Sequence, residues 1–387
     1  MTRPMSISTL IRHAHSQGAS DLHLEAGMPP AVRIRGKLRI RGEAWSASQT
    51  LAAARQLASD ADWERFYDRR SVDLSRRIGG VRCRINIFQT SRGTGLAIRL
   101  FSSFTATIDT LNLHPSLKSL VDRPHGLVLI CGPTGSGKST TIAALISEIN
   151  AREARHILTI EQPIEYELRP RLSYIRQREV GRDTPSFAQA LVDALREDPD
   201  VLVVGEVRQP ETMRLTLAAA ETGHLVLTSV HSSTASEALS RIISAFPSEI
   251  QGSVSAQLAE CLVAVVCQRL AWSPAASMVA PECEIMVANT AIKACIRQGQ
   301  LHRIPAIIET GRADGMWSRD QYRRWLESKT DWRRPPKPKQ GAPEEAPAPA
   351  AARPAAPRRP PPRRPSPASE GVIVLDGIDE NPDDILF

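Results

Sequence analysis

Aromatic residues are scarce in this chain, with seven Phe, six Trp and four Tyr in 387 residues. Its cores must therefore be built mainly from aliphatic side chains and alanine. Long hydrophobic runs are also missing. Val201-Leu202-Val203-Val204 and Leu262-Val263-Ala264-Val265-Val266 are far shorter than the roughly 20 apolar residues that span a bilayer. The N-terminus has no apolar core of the kind found in secretory signals. The expectation is a cytoplasmic protein without a transmembrane segment, held at the inner membrane only through protein partners. Six cysteines are scattered with no C-x-x-C pair. That argues against a disulfide framework and against a four-cysteine zinc site. Cys261 and Cys267 read as part of a packed helix. The net charge of +7 permits an anionic partner without requiring one.

What the chain does contain is Gly132-Pro133-Thr134-Gly135-Ser136-Gly137-Lys138-Ser139-Thr140, directly after the apolar run Leu127-Val128-Leu129-Ile130-Cys131. This is a G-x-x-x-x-G-K-[ST] phosphate-binding loop between a buried strand and a helix, the context that such a loop needs. Ile142, Leu145, Ile146 and Ile149 follow at i, i+3, i+4 and i+7, along one helical face. The glycines allow backbone N–H groups from Thr134 to Lys138 to turn inward around a phosphate, and the helix N-terminus adds its positive dipole end. Lys138 can reach the β- and γ-phosphates, and Ser139 can ligate Mg²⁺. The sequence thus predicts a binder of ATP and Mg²⁺.

The chain divides by pattern. Residues 1–100 read as an N-terminal α/β module, 101–123 as a linker and 124–332 as a domain of alternating strands and helices around a mostly parallel sheet. In the first module, residues 6–16 read as a helix ending at Gly18. Residues 32–41 alternate strictly and read as a half-buried hairpin about Gly36. A two-residue turn would mix apolar and basic residues on each face. An odd-length loop or bulge would collect Arg33, Arg35, Lys37, Arg39 and Arg41 into a basic face, either merely solvated or anion-binding. Residues 81–88 and 96–100 read as paired strands. Beyond Trp332 the composition changes, and 13 of the 29 prolines fall between Pro335 and Pro367. Residues 333–370 read as a disordered, partly polyproline-II linker. Residues 371–387 read as an acidic-hydrophobic peptide, either a docking segment or an unselected tail.

Three further segments carry candidate chemistry. Ile157-Leu158-Thr159-Ile160-Glu161-Gln162-Pro163-Ile164-Glu165 is a strand that breaks at Pro163, with carboxylates four residues apart. A carboxylate past a strand end can orient and deprotonate the water that attacks the γ-phosphorus. Val201-Leu202-Val203-Val204-Gly205-Glu206 reads as the strand that delivers a carboxylate to the Mg²⁺ shell. The usual Asp at its end is absent, and Gly205 and Glu206 stand there instead. Finally, His224 and His231 bracket the strand at residues 225–230. They are candidates to sense the γ-phosphate or to carry movement outward.

Taken together, these motifs resemble those of the PilT-type secretion ATPases, the hexameric motors of type IV pili and of type II and type IV secretion. The resemblance runs from Ser20-Asp21-Leu22-His23-Leu24 to Trp325, with Walker A, Asp box, Walker B and His box in the family's order. It implies a PAS-like N-terminal domain and a RecA-like C-terminal domain joined by a flexible linker. It implies Gly132, Thr134, Gly135, Ser136, Gly137, Lys138, Ser139 and Thr140 around the phosphates, with Ser139 and Glu206 at Mg²⁺. Glu165 would be the catalytic glutamate, Glu206 the Walker B glutamate, and His224 and His231 the His-box residues. Arginines of an N-terminal domain would also meet the nucleotide, and Arg84, Arg92 and Arg99 fall in the matching region. The implied activity is ATP hydrolysis driving pilus retraction and twitching. The implied partners are five further copies, an inner-membrane platform protein and a paralogous pilus ATPase, with no direct nucleic acid. Two departures stand out. Gln162 replaces the usual Asp of the Asp box, and Ala291-Ile292-Lys293-Ala294-Cys295-Ile296-Arg297 only partly keeps the retraction element A-I-R-x-L-I-R. They keep open an accessory retraction role or a type IV secretion role. The basic hairpin and tail keep open a DNA-binding RecA-like protein or a nucleotide-gated regulator.

Overall fold

A computed structural model describes residues 6–34, 36–101 and 106–334. The Pro-rich segment and the acidic C-terminal peptide read from the sequence lie outside the described residues.

The first domain opens with α1 (Ile7–Ser16), capped by the Ser6 hydroxyl, which accepts the Thr9 N–H, and it stops ahead of Gly18 at φ 73°. Strands β1 (Ala19–Leu24), β2 (Ala31–Ile34) and β3 (Lys37–Ile40) follow, then α2 (Ala47–Leu57), α3 (Asp60–Arg69), β4 (Ser71–Ile78), β5 (Val81–Thr90) and β6 (Gly93–Leu100). The six strands form one antiparallel sheet in the order β3-β2-β1-β6-β5-β4. Side chains alternate faces along a strand. Cys83, Ile85 and Ile87 of β5 therefore join Trp63, Phe66 and the apolar faces of α1 and α2 in one core. Arg82, Arg84 and Asn86 fall on the other face. Helix α3 and strand β4 carry weak sequence signals, because each is short and mostly polar.

The hairpin differs from the expected basic face. Its register pairs Ile34 with Lys37, Arg33 with Leu38 and Val32 with Arg39. Partners across strands share a face, so basic and apolar residues are mixed on both. Strand β3 is exposed throughout, Leu38 and Ile40 included. A sheet-edge position with nothing packed over it, and not a half-buried hairpin, explains the pattern.

The second domain begins earlier than expected. Ala106, Ile108, Leu113, Leu117, Leu120 and Val121 are buried in its core, so most of the stretch read as linker belongs to it. Strand β7 (Gly126–Cys131) runs into the phosphate loop and α4 (Lys138–Arg152). There follow β8 (His156–Glu161), β9 (Tyr174–Glu179), α5 (Phe187–Ala194), β10 (Val201–Val204), α6 (Pro210–Glu221), β11 (Leu225–Val230), α7 (Ala235–Ser244), α8 (Gln251–Cys261), β12 (Leu262–Ser273), β13 (Met278–Val287), α9 (Thr290–Arg297), α10 (Ile304–Thr310) and α11 (Arg319–Ser328). The sheet order is β13-β12-β7-β11-β10-β8-β9, parallel except for β13. One core packs α5 to α10 on one face, and a second packs α4, α11 and the 106–121 segment on the other. The second core is closed at its edge by aromatic contacts among His114, Trp317, Tyr322 and Trp325. The Asn112 amide both donates to and accepts from the Arg333 backbone.

Cys267 lies in strand β12 rather than in a helix, beside Cys131 of β7, and Cys261 ends α8. The run Leu262-Val263-Ala264-Val265-Val266 is rich in β-branched residues and central in the sheet, which favours a strand. All six cysteines are buried free thiols.

Candidate active site

The parallel strands place the expected motifs together. Phosphate loop, Asp-box loop, Walker B loop and His231 follow the carboxyl ends of β7, β8, β10 and β11, the edge where open parallel sheets bind ligands. The phosphate loop has a glycine at each strained position: Gly132, Gly135 and Gly137 have φ of 149°, 79° and 89°. A Cβ at Gly132 would run into the Gln268 carbonyl and the Ser136 hydroxyl. Ser136 is buried, and its hydroxyl has no partner within the described residues. Helix α4 starts at Gly137 with no side-chain cap, so its first N–H groups are free for an anion. Thr134 and Gly135 are exposed at the rim. The cradle fits a phosphate chain.

Lys138 is buried, and its Nζ donates to the carbonyls of Gly132 (2.8 Å) and Pro133 (3.0 Å). Burial lowers its pKa, while the charges of Glu206 and Glu165 act the other way. Thr140 Oγ1 lies 2.8 Å from the Tyr166 hydroxyl, which links α4 to the loop carrying Glu165. Glu206 receives a forked contact from Arg208 (2.7 Å twice) and lies 3.0 Å from His231 Nε2. Burial pushes the Glu206 pKa up, but Arg208, His231 and Lys138 outweigh it and hold the carboxylate below its ordinary value. Burial, then Lys138, lowers the His231 pKa against the opposing charge of Glu206. The Ser139 hydroxyl and the Glu206 carboxylate are hard oxygen donors of the kind Mg²⁺ prefers.

His224 does not join this cluster. It precedes β11, so six residues of strand, about 20 Å, separate it from His231. Its Nδ1 lies 3.0 Å from the Ala219 carbonyl, at the C-terminal end of α6. The two histidines thus bracket β11 as the sequence places them, with His231 at the phosphate-loop edge and His224 at the far end. The three arginines are also dispersed. Arg84 forks onto Asp73, and its raised pKa owes most to that pairing, with Glu165 and Arg208 in its field. Arg99 pairs with Asp21 and is largely exposed. Arg92 sits in the β5–β6 turn, roughly 25 Å along the strand from Arg84.

One residue at the site escapes the sequence reading. Gln268 of β12 donates to the Ser136 carbonyl and accepts from Thr141 Oγ1, both at 2.6 Å, and so braces the phosphate loop from the neighbouring strand. The one available signal is a buried Gln directly after an apolar strand run. Of the two carboxylates four residues apart, the first is Glu161. It is the more enclosed side chain of its box, whereas Gln162 is exposed. Its carboxylate accepts from the Thr159 hydroxyl and from the Gln177 amide. Burial pushes the Glu161 carboxyl up to about 7 from 4.5, eased by Thr159 and Gln177, and the Glu165 charge raises it further. The folded chain thus keeps a proton that the unfolded chain has lost. This group makes stability fall as pH rises from about 4.5 to about 7, with no further loss above. Glu161→Gln should remove that fall. Urea midpoints compared between pH 5 and pH 8 should show the variant gaining on the parent by on the order of 3 kcal/mol. A constant difference across that range would mean that Glu161 does not titrate there.

Residues 3–315 match the family described as Type II/IV secretion system protein. The chain belongs to that family. Within it, this secretion ATPase is PilT-like. It is 40% identical over 327 residues to the type IV pilus retraction ATPase PilT of Pseudomonas aeruginosa, covering 84% of this chain and 95% of that one. It is 38% identical to a twitching motility protein of Neisseria gonorrhoeae (82% and 85% covered) and 35% identical to the type IV pilus ATPase PilU of P. aeruginosa (82% and 84% covered). A crystal structure of the pilus retraction motor PilT with bound ADP superposes with a TM-score of 0.74 at 36% identity, covering 82% of this chain and 96% of that one. The secretion ATPase shares its two-domain α/β architecture and its nucleotide-binding character. No helix among the described residues is long and apolar enough to cross a membrane.

Proposed function

We propose that this chain is a hexameric, Mg²⁺-dependent motor that hydrolyses ATP to power retraction of a type IV pilus from the cytoplasmic side of the inner membrane. The observation that supports this reading best is the likeness to the P. aeruginosa retraction ATPase, which runs through both domains. Hydrolysis follows from the site. ATP lies with its phosphates in the 132–139 loop, and Lys138 leaves the two loop carbonyls to neutralise the β- and γ-oxygens. Ser139 and Glu206 hold Mg²⁺, which supplies charge to the phosphate oxygens when bound. Glu165 takes the proton of the attacking water as the bond from the γ-phosphorus to the bridging oxygen breaks. His231, hydrogen-bonded to Glu206, is placed to feel the change of charge. Glu165, Arg84 and Arg208 lie close enough to interact electrostatically, so the first domain feels the site directly. ATP binding favours the closed pairing of domains, and product release relaxes it. Assembly with a platform protein and with a paralogous pilus ATPase belongs to the same proposal.

Cells carrying Lys138→Ala at the native locus are expected to lose twitching and to accumulate surface pili. Normal twitching with normal pili would overturn the retraction reading and leave the ATPase. The exposed Gln162 and the altered element on α9 favour a second reading, an accessory retraction or secretion motor. On α9, Lys293 and Arg297 both reach Glu260 of α8. Unchanged twitching together with loss of an exported substrate would support that reading.

A further inference from the structure

We propose that Arg82, a residue of the first domain, is a positioning residue for Glu165. The inference rests on Glu165 being the catalytic base.

Arg82 projects from the polar face of β5 and is mostly buried, with its side chain 13% exposed. Its Nε donates to the Ile164 carbonyl at 3.2 Å, and its Nη2 donates to Glu179 Oε2 at 2.8 Å. Its Nη1 also comes within 3.7 Å of the half-exposed Glu167. The same Glu179 oxygen accepts the Ile164 N–H at 3.3 Å. The residue directly before Glu165 therefore has both backbone groups tied to one ion pair, and one partner of that pair belongs to the other domain. Glu179 is fixed in turn. It closes β9, its own N–H donates to Asp183, and its side chain is buried. Beyond Glu165, the Gln177 side chain accepts the Leu168 N–H and donates to the Tyr166 carbonyl. Tyr166 reaches Thr140 at the start of α4. The loop is thus held at both flanks; the first domain binds the backbone at Ile164 and a side chain, Glu167, on the other flank.

The arrangement has a mechanical consequence. Arg82 is a forked donor that joins the first domain to the backbone of the catalytic loop, and a planar guanidinium is suited to two such bonds at once. A rotation of the first domain that withdraws Arg82 frees the Ile164 carbonyl. Among the described residues it also leaves buried Glu179 with the exposed Arg182, 3.7 Å away, as its remaining ion-pair partner, which is costly. The loop must then rearrange, and Glu165 moves with it. Domain rotation therefore sets the rate of proton removal through a backbone contact. An arginine finger would instead act through charge on the nucleotide. Arg77, on neighbouring β4, pairs with Glu167 at an exposed position. It does not hold the Ile164 backbone and serves as a comparison.

The test uses the full-length protein. Arg82→Gln is expected to lower kcat for ATP hydrolysis by roughly tenfold to a hundredfold, the scale set by small misplacement of a catalytic group. ADP affinity should stay within about twofold. Arg82→Lys keeps the charge beside Glu179 but cannot make both bonds as a fork, so kcat should fall partway with affinity kept. This variant carries the test if Arg82→Gln does not fold. Arg77→Gln should leave kcat near the parent value. In a Glu165→Asp background, where the carboxylate is already displaced, Arg82→Gln should cost less than about a third of its factor in the parent. An equal factor in both backgrounds, a parallel loss of ADP affinity, or a parent-like kcat for Arg82→Lys would overturn the proposal. If Glu165→Asp and Glu165→Gln both turn over at the parent rate, the assignment of the base fails instead, and the two failures are distinct.

Discussion

Lys138→Ala is expected to reduce steady-state ATP hydrolysis by about a thousandfold, the scale of removing a preorganised charge from a phosphoryl-transfer site. Nζ is held by two carbonyls of the loop itself. On the proposed reading it meets the charge that builds on the β- and γ-oxygens as the bond breaks. Burial strengthens its field because little water screens it. Alanine leaves α4 intact, since the helix starts on Gly137 and its apolar face lies further along. The lost activity should therefore not come with unfolding. Phosphate release measures the first quantity and far-ultraviolet circular dichroism the second. Retention of more than about a tenth of the parent rate, far above the loss expected for such a charge, would remove Lys138 from the transition state.

Glu165→Gln is the second large effect. It should lower kcat by a factor of about 10² to 10³, within the range for loss of a general base, while ATP still binds. Glutamine keeps the size of the side chain and its place in the loop but cannot take a proton at the carboxylate. Glu165 is half-buried on a loop whose backbone is fixed on both sides, so the variant should keep its geometry. Trapped, unhydrolysed ATP on the protein after a single-turnover mix is the expected signature. Full turnover by Glu165→Gln would assign the base elsewhere, with Glu206 next in line. Glu206→Gln should instead weaken the response to Mg²⁺, because that carboxylate is held by Arg208 and His231 beside the lysine.

The local motifs are legible because each lies within a few residues of a strand end. A strand, a glycine-rich turn and a helix start place Lys138 whatever the rest of the chain does. The parallel order then collects Glu165, Glu206 and His231 at one edge. Pairings across long separations are not legible. Arg82 meets Glu179 across 97 residues, and Gln268 meets Ser136 across 132, and no spacing rule reaches that far. The hairpin departs from its reading for a different reason. Alternation at residues 32–41 is real, but the face on which each residue falls depends on a turn one residue longer or shorter. For His224, order along the sequence says which strand is near, not which end of that strand carries the ligand. Residues 106–121 resemble a linker because their apolar residues are irregularly spaced. They pack as successive turns and a short helical segment against the sheet, not as one face of a long helix.

The six buried thiols give this protein a reporter of its own. Cys131 and Cys267 lie side by side on β7 and β12, directly beneath the phosphate loop. Burial pushes the thiols of Cys83, Cys261 and Cys283 up to about 12, so few thiolates exist to react at neutral pH. In the folded state the native chain is therefore nearly silent to maleimides. A single cysteine introduced on the surface, at Arg92 for example, would carry a dye without any native thiol having to be removed. Slow labelling of Cys131 or Cys267 would time the openings of the sheet under the nucleotide. Saturating ADP should lengthen that time in proportion to how tightly it closes the loop.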